Sequence, residues 1–194
     1  MCHVIGHVMG HWSRFGWLVA KQPRCPISSV QVRNSHSTMR IEVDDLSRPQ
    51  VHALLCEHLA HMHALSPVEQ VFALDLTQLR ASDISFWTLW ENDELLGCVA
   101  LKALSATHGE VKSMRTAEKH RGRGAGRALL LRVVETAMQR GYQKLSLETG
   151  THPAFMPAQQ LYLSIGFKVS GPFADYEANP HSLFMELALV NRDL

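Results

Sequence analysis

From residue 121 to residue 127 the chain reads Arg-Gly-Arg-Gly-Ala-Gly-Arg, and the hydrophobic period changes across that run. Upstream, residues 84–116 form short β-branched and aromatic segments separated by turn residues. Downstream, Leu129, Leu130, Val133, Val134, Ala137 and Met138 recur at helical spacing until Gly141 ends the pattern. A turn this dense in glycine can crowd backbone N–H groups around an anion, and the start of the following helix adds positive potential. Lys112, Arg115, Lys119, Arg121, Arg123, Arg127 and Arg132 surround the turn, opposed by Glu110 and Glu118. A multiply charged phosphate ligand fits that field. A glycine-rich turn with a solvated basic rim is the plainer alternative.

The rest of the body supplies the frame. Met39 to Asp44 alternates as a first strand, and Pro49 opens a helix over Val51, Leu54, Leu55, His58, Leu59 and Met62. Ser66-Pro67-Val68-Glu69 is a capping box, which predicts a second helix carrying Val71, Phe72 and Leu74 inward and ending before Asp83. Ile84–Trp90, Leu95–Leu104 and Gly109–Thr116 read as an antiparallel meander, with Gly97 as a bulge. Lys144 to Thr149 alternates as a strand. Ala158 to Ile165 is a short helix stopped at Gly166, and residues 167–169 and 183–189 close the chain as strands. This order predicts a mixed α/β fold.

Composition narrows the function classes. With 46% hydrophobic and 19% charged residues over 194 positions, the chain is neither disordered nor membrane-embedded, and no run approaches 18 apolar residues. Nineteen basic and 18 acidic side chains leave +1, which argues against a broad nucleic-acid or anionic-membrane surface. Cys2, Cys25, Cys56 and Cys98 form no C-x-x-C pair, so a reduced, cytoplasmic setting is expected. The charge is uneven, because the first acidic residue is Glu42. Residues 1–38 therefore read as a disordered leader or an upstream translated extension, and residues 39–194 as the domain. The leader matches secretory and transit signals poorly. His3, His7 and His11 recur every four residues, but no carboxylate or organised second shell accompanies them, and no metal is expected. His58, His61 and His63 read as exposed helix histidines.

Two nucleotide readings fail on spacing. A Walker loop needs Gly-Lys-Ser/Thr, which is absent. A dinucleotide fingerprint needs its third glycine three residues after the second, and here Gly122, Gly124 and Gly126 alternate. Instead, Arg121-x-x-Gly124-x-Gly126 between a strand and an amphipathic helix resembles the acetyl-coenzyme A motif of the GNAT family of N-acetyltransferases, Gln/Arg-x-x-Gly-x-Gly/Ala. Ala158-Gln159-Gln160-Leu161-Tyr162-Leu163-Ser164-Ile165-Gly166-Phe167 resembles that family's Ala-x-x-Leu-Tyr-x-x-x-Gly-Phe segment. The resemblance spans most of residues 39–190. It is nearest to a subgroup of small, mostly uncharacterised bacterial acetyltransferases.

The resemblance implies a GNAT-like, mostly antiparallel central sheet with helices on both faces, and acetyl transfer from acetyl-CoA to an amine by direct attack. It places the pyrophosphate on the backbone of Arg121, Gly122, Arg123, Gly124, Ala125, Gly126 and Arg127. Pantetheine and the acetyl carbonyl fall to Met114, Arg115 and Thr116, on a strand that splays from residues 144–149. Tyr162 takes the role of general acid, with Glu110 and then Glu148 as candidate bases. The implied partner is a small-molecule amine or amino acid rather than a protein, nucleic acid or membrane, and many relatives dimerise, which leaves a homodimer open. A non-catalytic acyl-CoA-binding module on the same fold is the alternative. Phe155 stands where many members carry a cofactor-contacting asparagine, and residues 150–157 form a loop about two residues longer than usual. Asp175, Tyr176 and residues 179–182 lie where relatives line the acceptor pocket.

Overall fold

Asp44 organises the entry into the fold. Its carboxylate accepts the Leu46 N–H at 2.7 Å and the Thr88 hydroxyl at 3.2 Å, and it pairs with Arg48 at 2.6 Å. That turn joins β1 (Met39–Val43) to α1 (Pro49–Leu65). The computed structural model describes residues 39–65 and 75–189. The helix expected from Ser66 lies outside the described residues. The next described element is a short α2 (Leu76–Leu79) with a capping box of its own, between Asp75 and Gln78. Then come β2 (Ile84–Glu91), β3 (Glu94–Ser105), β4 (His108–Thr116), α3 (Ala125–Gln139), β5 (Lys144–Gly150), α4 (Met156–Ile165), β6 (Lys168–Ser170) and β7 (Ser182–Ala188).

The described strands form one seven-stranded sheet in the order β1-β2-β3-β4-β5-β7-β6. Every pairing among them is antiparallel except β4 with β5, which α3 joins as a parallel crossover. The bulge expected at Gly97 is found beside it: the register steps from Leu89↔Gly97 to Trp90↔Leu95, leaving Leu96 as the extra residue.

Side-chain alternation divides the core in two. On one face Val51, Leu54 and Leu55 of α1 and Leu79 of α2 pack on Phe86, Trp90, Cys98 and Ala100. On the other, Leu129, Leu130, Val133 and Ala137 of α3 pack on Leu89, Val99, Val111, Leu145 and Leu147, with Tyr162 of α4 and Phe167 in the same cluster. The buried stripe of α3 is narrower than its period suggested, since Met138 is exposed and Val134 half-buried. Among the described residues no helix is long and apolar enough to cross a membrane.

Candidate active site

The centre of the sheet is built to come apart. β4 and β5 pair at only three positions, His108↔Lys144, Gly109↔Leu145 and Glu110↔Ser146. Just beyond them β4 is bulged. Cys98 faces Arg115 and Ala100 faces Lys112, so two β4 residues, Ser113 and Met114, oppose Val99. Ser113 takes φ 48°, a left-handed conformation unusual for a residue with a side chain. The bulge turns β4 away from β5, and the gap becomes a cavity of about 460 Å³. Its walls include Met114, Arg115 and Thr116 of β4, Glu148 of β5 and Tyr162 of α4.

The glycine-rich turn closes one end. Gly122 and Gly124 have φ of 75° and 84°, a region that L side chains avoid, and Gly124 is the N-cap of α3. No side chain caps that helix, which leaves its first N–H groups without a side-chain acceptor. Gly126 works by size: a Cβ there would lie 3.1 Å from Leu161 and 3.4 Å from the Thr116 hydroxyl, against the wall of the cavity.

At the other end stand two carboxylates in different surroundings. Glu110 is buried and accepts the Tyr176 hydroxyl at 2.6 Å and the Lys112 ammonium at 3.1 Å, while Lys112 also donates to Tyr176 at 2.6 Å. Burial raises the pKa of Glu148 above its ordinary 4.5, and the negative charge of Glu110 adds to the rise. Burial and the Glu148 charge hold the Tyr162 phenol well above its usual range, so it is a proton donor. Burial pushes the Cys98 thiol up to about 12, which leaves it no nucleophile at neutral pH.

The cavity thus joins a glycine-rich turn at a helix start, a splayed parallel pair, a buried carboxylate and a buried phenol. Residues 49–167 match the acetyltransferase (GNAT) family model. The chain belongs to the GNAT acetyltransferase family. It is 50% identical over 147 residues to the uncharacterised N-acetyltransferase YsnE of Bacillus subtilis, covering 76% of this chain and 97% of that one. It is 45% identical over 153 residues to the uncharacterised N-acetyltransferase YedL of Escherichia coli, covering 79% and 96%. A GNAT acetyltransferase structure from Elizabethkingia anophelis with acetyl-CoA bound shares the fold at 21% identity and a TM-score of 0.57, over 78% of this chain and 98% of that one. The chain is therefore an acetyl-CoA-dependent N-acetyltransferase.

The GNAT cavity gathers most of the residues expected there and leaves some out. Met114, Arg115, Thr116, Arg121, Gly122, Gly124, Ala125, Gly126, Arg127, Glu110, Glu148 and Tyr162 all line it. Arg123 does not: its guanidinium turns back to pair with Glu91 and donates to Nδ1 of His120 at 3.1 Å. The N–H of Arg121 is already spent on the Glu118 carbonyl at 3.2 Å, so the cradle starts one residue later. The basic rim is also smaller than its residue count, because Lys112 belongs to the Glu110 pair, Arg115 pairs with Glu57 and Arg132 with Glu135.

His58 and His61 are the main omission from the expected site. Both line the cavity from α1 instead of facing solvent. Burial and the nearby Arg115 lower the His58 pKa to about 4. Only the helical spacing from Val51, which places residue 58 on the buried stripe, could have shown this. Phe155, in the place of the usual asparagine, packs its ring beside Gly150 and edge-on to His61, while Gln159 donates to the Gly150 carbonyl at 2.8 Å. Of the loop residues expected to line the acceptor pocket, Tyr176 reaches Glu110 at the cavity wall and Asp175 stays exposed.

Proposed function

We propose that this GNAT enzyme moves the acetyl group of acetyl-CoA directly to the amine of a small acceptor, with Glu148 as general base and Tyr162 as general acid. The observation that carries the reading is the notch between β4 and β5, because it brings a base, a phenol and the edge of an unpaired strand to one cavity. The N–H groups of Gly122 to Arg127 would hold the pyrophosphate, and the backbone of Met114 to Thr116 would hold pantetheine and point a donor at the acetyl oxygen. The acetyl-CoA bound in the Elizabethkingia structure of the same fold supports acetyl-CoA as the co-substrate.

Glu148 takes a proton from the acceptor ammonium, and the freed nitrogen attacks the thioester carbonyl carbon. The carbon–sulfur bond breaks, and the sulfur receives the Tyr162 proton as coenzyme A leaves. Glu148 is preferred to Glu110 on geometry, since Glu110 already accepts two hydrogen bonds from Lys112 and Tyr176. A cytoplasmic site of action agrees with the free thiols of Cys56 and Cys98. The test is thiol release from acetyl-CoA across a panel of small amines, with the acetylated product identified by mass. Tight acetyl-CoA binding with no transfer to any amine would sink the reading in favour of a binding module.

A further inference from the structure

Among the described residues, five buried side-chain atoms lack a hydrogen-bonding partner, and three of them belong to the wall of the GNAT notch. They are Nδ1 of His58 on α1, Oγ of Ser113 at the β4 bulge and Nε of Arg115. Buried polar groups in native folds are almost always paired, so three orphans around one cavity point to a ligand group that completes them.

The strand alternation shows which way Arg115 faces. Val111 and Met114 pack into the α3-side core, which puts Glu110, Lys112 and Arg115 on the α1 side of β4. Two cations stand there. Lys112 is committed on both sides, to Glu110 and to Tyr176. Arg115 is not: its side chain is only 9% exposed, yet its one ion pair among the described residues, at 2.7 Å, is with Glu57, which is 49% exposed. A guanidinium has five N–H donors in a planar fork, and a planar anion can use the edge that Glu57 leaves. His58 is neutral, being desolvated next to Arg115, so it adds a hydrogen bond to such an anion without adding charge.

Glu148 lines the same cavity. A molecule in the notch therefore meets a proton acceptor at one point and a buried, under-committed cation with two polar neighbours at another. We propose that the acceptor is an amine that also carries a carboxylate, an amino acid or close analogue, and that Arg115, Ser113 and His58 bind the carboxylate. This rests on the acetyltransferase reading of the notch and adds the class of acceptor.

The test reads binding instead of turnover. The full chain is saturated with coenzyme A, and the proteinogenic L-amino acids and their carboxamides are titrated in by calorimetry. At least one acid is expected to bind roughly 10- to 100-fold more tightly than its own carboxamide, the range of a hydrogen bond to a charged group. In Arg115→Met that ratio should fall to within about threefold. Ser113→Gly suits the φ of 48° and so keeps the fold, and it should reduce the ratio several-fold by removing one donor. Carboxamides bound as tightly as acids, or no acid bound at all, overturn the proposal. So does a parallel fall in coenzyme A affinity, which would assign the three orphan atoms to the coenzyme. An acid that binds as expected but is never acetylated leaves the carboxylate site standing and overturns the proposed reaction instead.

Discussion

A carboxylate that serves as a base must accept a proton during the reaction, and that requirement separates Glu148 from Glu110. Glu110 is held by a lysine and a phenol, both donating to it. Glu148 sits where burial favours its protonated form, which strengthens its carboxylate as a proton acceptor relative to an exposed glutamate. Glu148→Gln is expected to lower kcat by roughly 10²–10⁴-fold. The pH dependence has a definite sign: the carboxylate works only when ionised, so kcat/KM should fall toward acid through a pKa above 4.5, and that limb should vanish in Glu148→Gln. A variant with kcat within about threefold of the natural enzyme sinks the assignment. Tyr162→Phe keeps the ring against Phe167, whose centroid lies 5.9 Å away, and removes only the acid. It should lower kcat by about 10²–10⁴-fold while acetyl-CoA affinity stays the same. Normal turnover in that variant, with damage only in Tyr162→Ala, makes Tyr162 a packing residue. The residue scale is also where reading from sequence works least evenly. Tyr162 stands in a motif with fixed spacing. His58 and Tyr176 carry no motif, and their place depends on how α1 and the loop before β7 pack across the splayed strands.

At the scale of elements, the phosphate cradle is a property of a turn and a helix start more than of its arginines. Gly124→Glu would force a side chain into φ 84° and set a negative charge at the N-terminus of α3. Acetyl-CoA affinity should fall by about two orders of magnitude, equivalent to ~2.7 kcal/mol of lost binding. Unchanged affinity in a folded Gly124→Glu protein removes the phosphate from this turn. Arg123→Ala makes the opposite case. Its guanidinium faces Glu91 and His120 and not the cavity, so equilibrium titration should find affinity within about threefold, and a tenfold loss would show that Arg123 swings round to the ligand. The sequence pattern identifies β1–β5, α1, α3 and α4, because the helices repeat their apolar residues along one face and β2 and β3 are apolar runs buried on both faces. The β4 bulge is invisible to it. Ser113 is an ordinary strand residue by composition, and only the pairing of Cys98 with Arg115 and Ala100 with Lys112 shows that one residue is extra. Lys112 looks like a phosphate-end cation for the same reason: along the chain it is near the turn, but it lies before the bulge and Arg115 after it.

On the scale of the whole molecule, the sheet is two blocks joined by three paired residues of β4 and β5 and by α3. The cavity draws its walls from both, with α1 and β4 on one side and β5 and α4 on the other. Among the described residues, those lining it run from His58 to Tyr162, and the family match spans residues 49–167. YsnE is matched over 97% of its length by 147 residues, against the 194 of this chain. We therefore expect a chain starting at Met39 to keep its melting temperature within about 2 °C, which for a domain of this size is under about 1 kcal/mol. Acetyl-CoA affinity should also be unchanged. The measurement is thermal unfolding of both chains at equal concentration, with and without acetyl-CoA. The opposite result has a specific meaning, since residues 1–38 include Trp12, Phe15 and Trp17. Burying even one aromatic side chain contributes about 1.5–3 kcal/mol, so a drop in melting temperature of several degrees would show that this apolar stretch docks on the domain. A loss of acetyl-CoA affinity without a loss of stability would instead place the leader at the mouth of the notch.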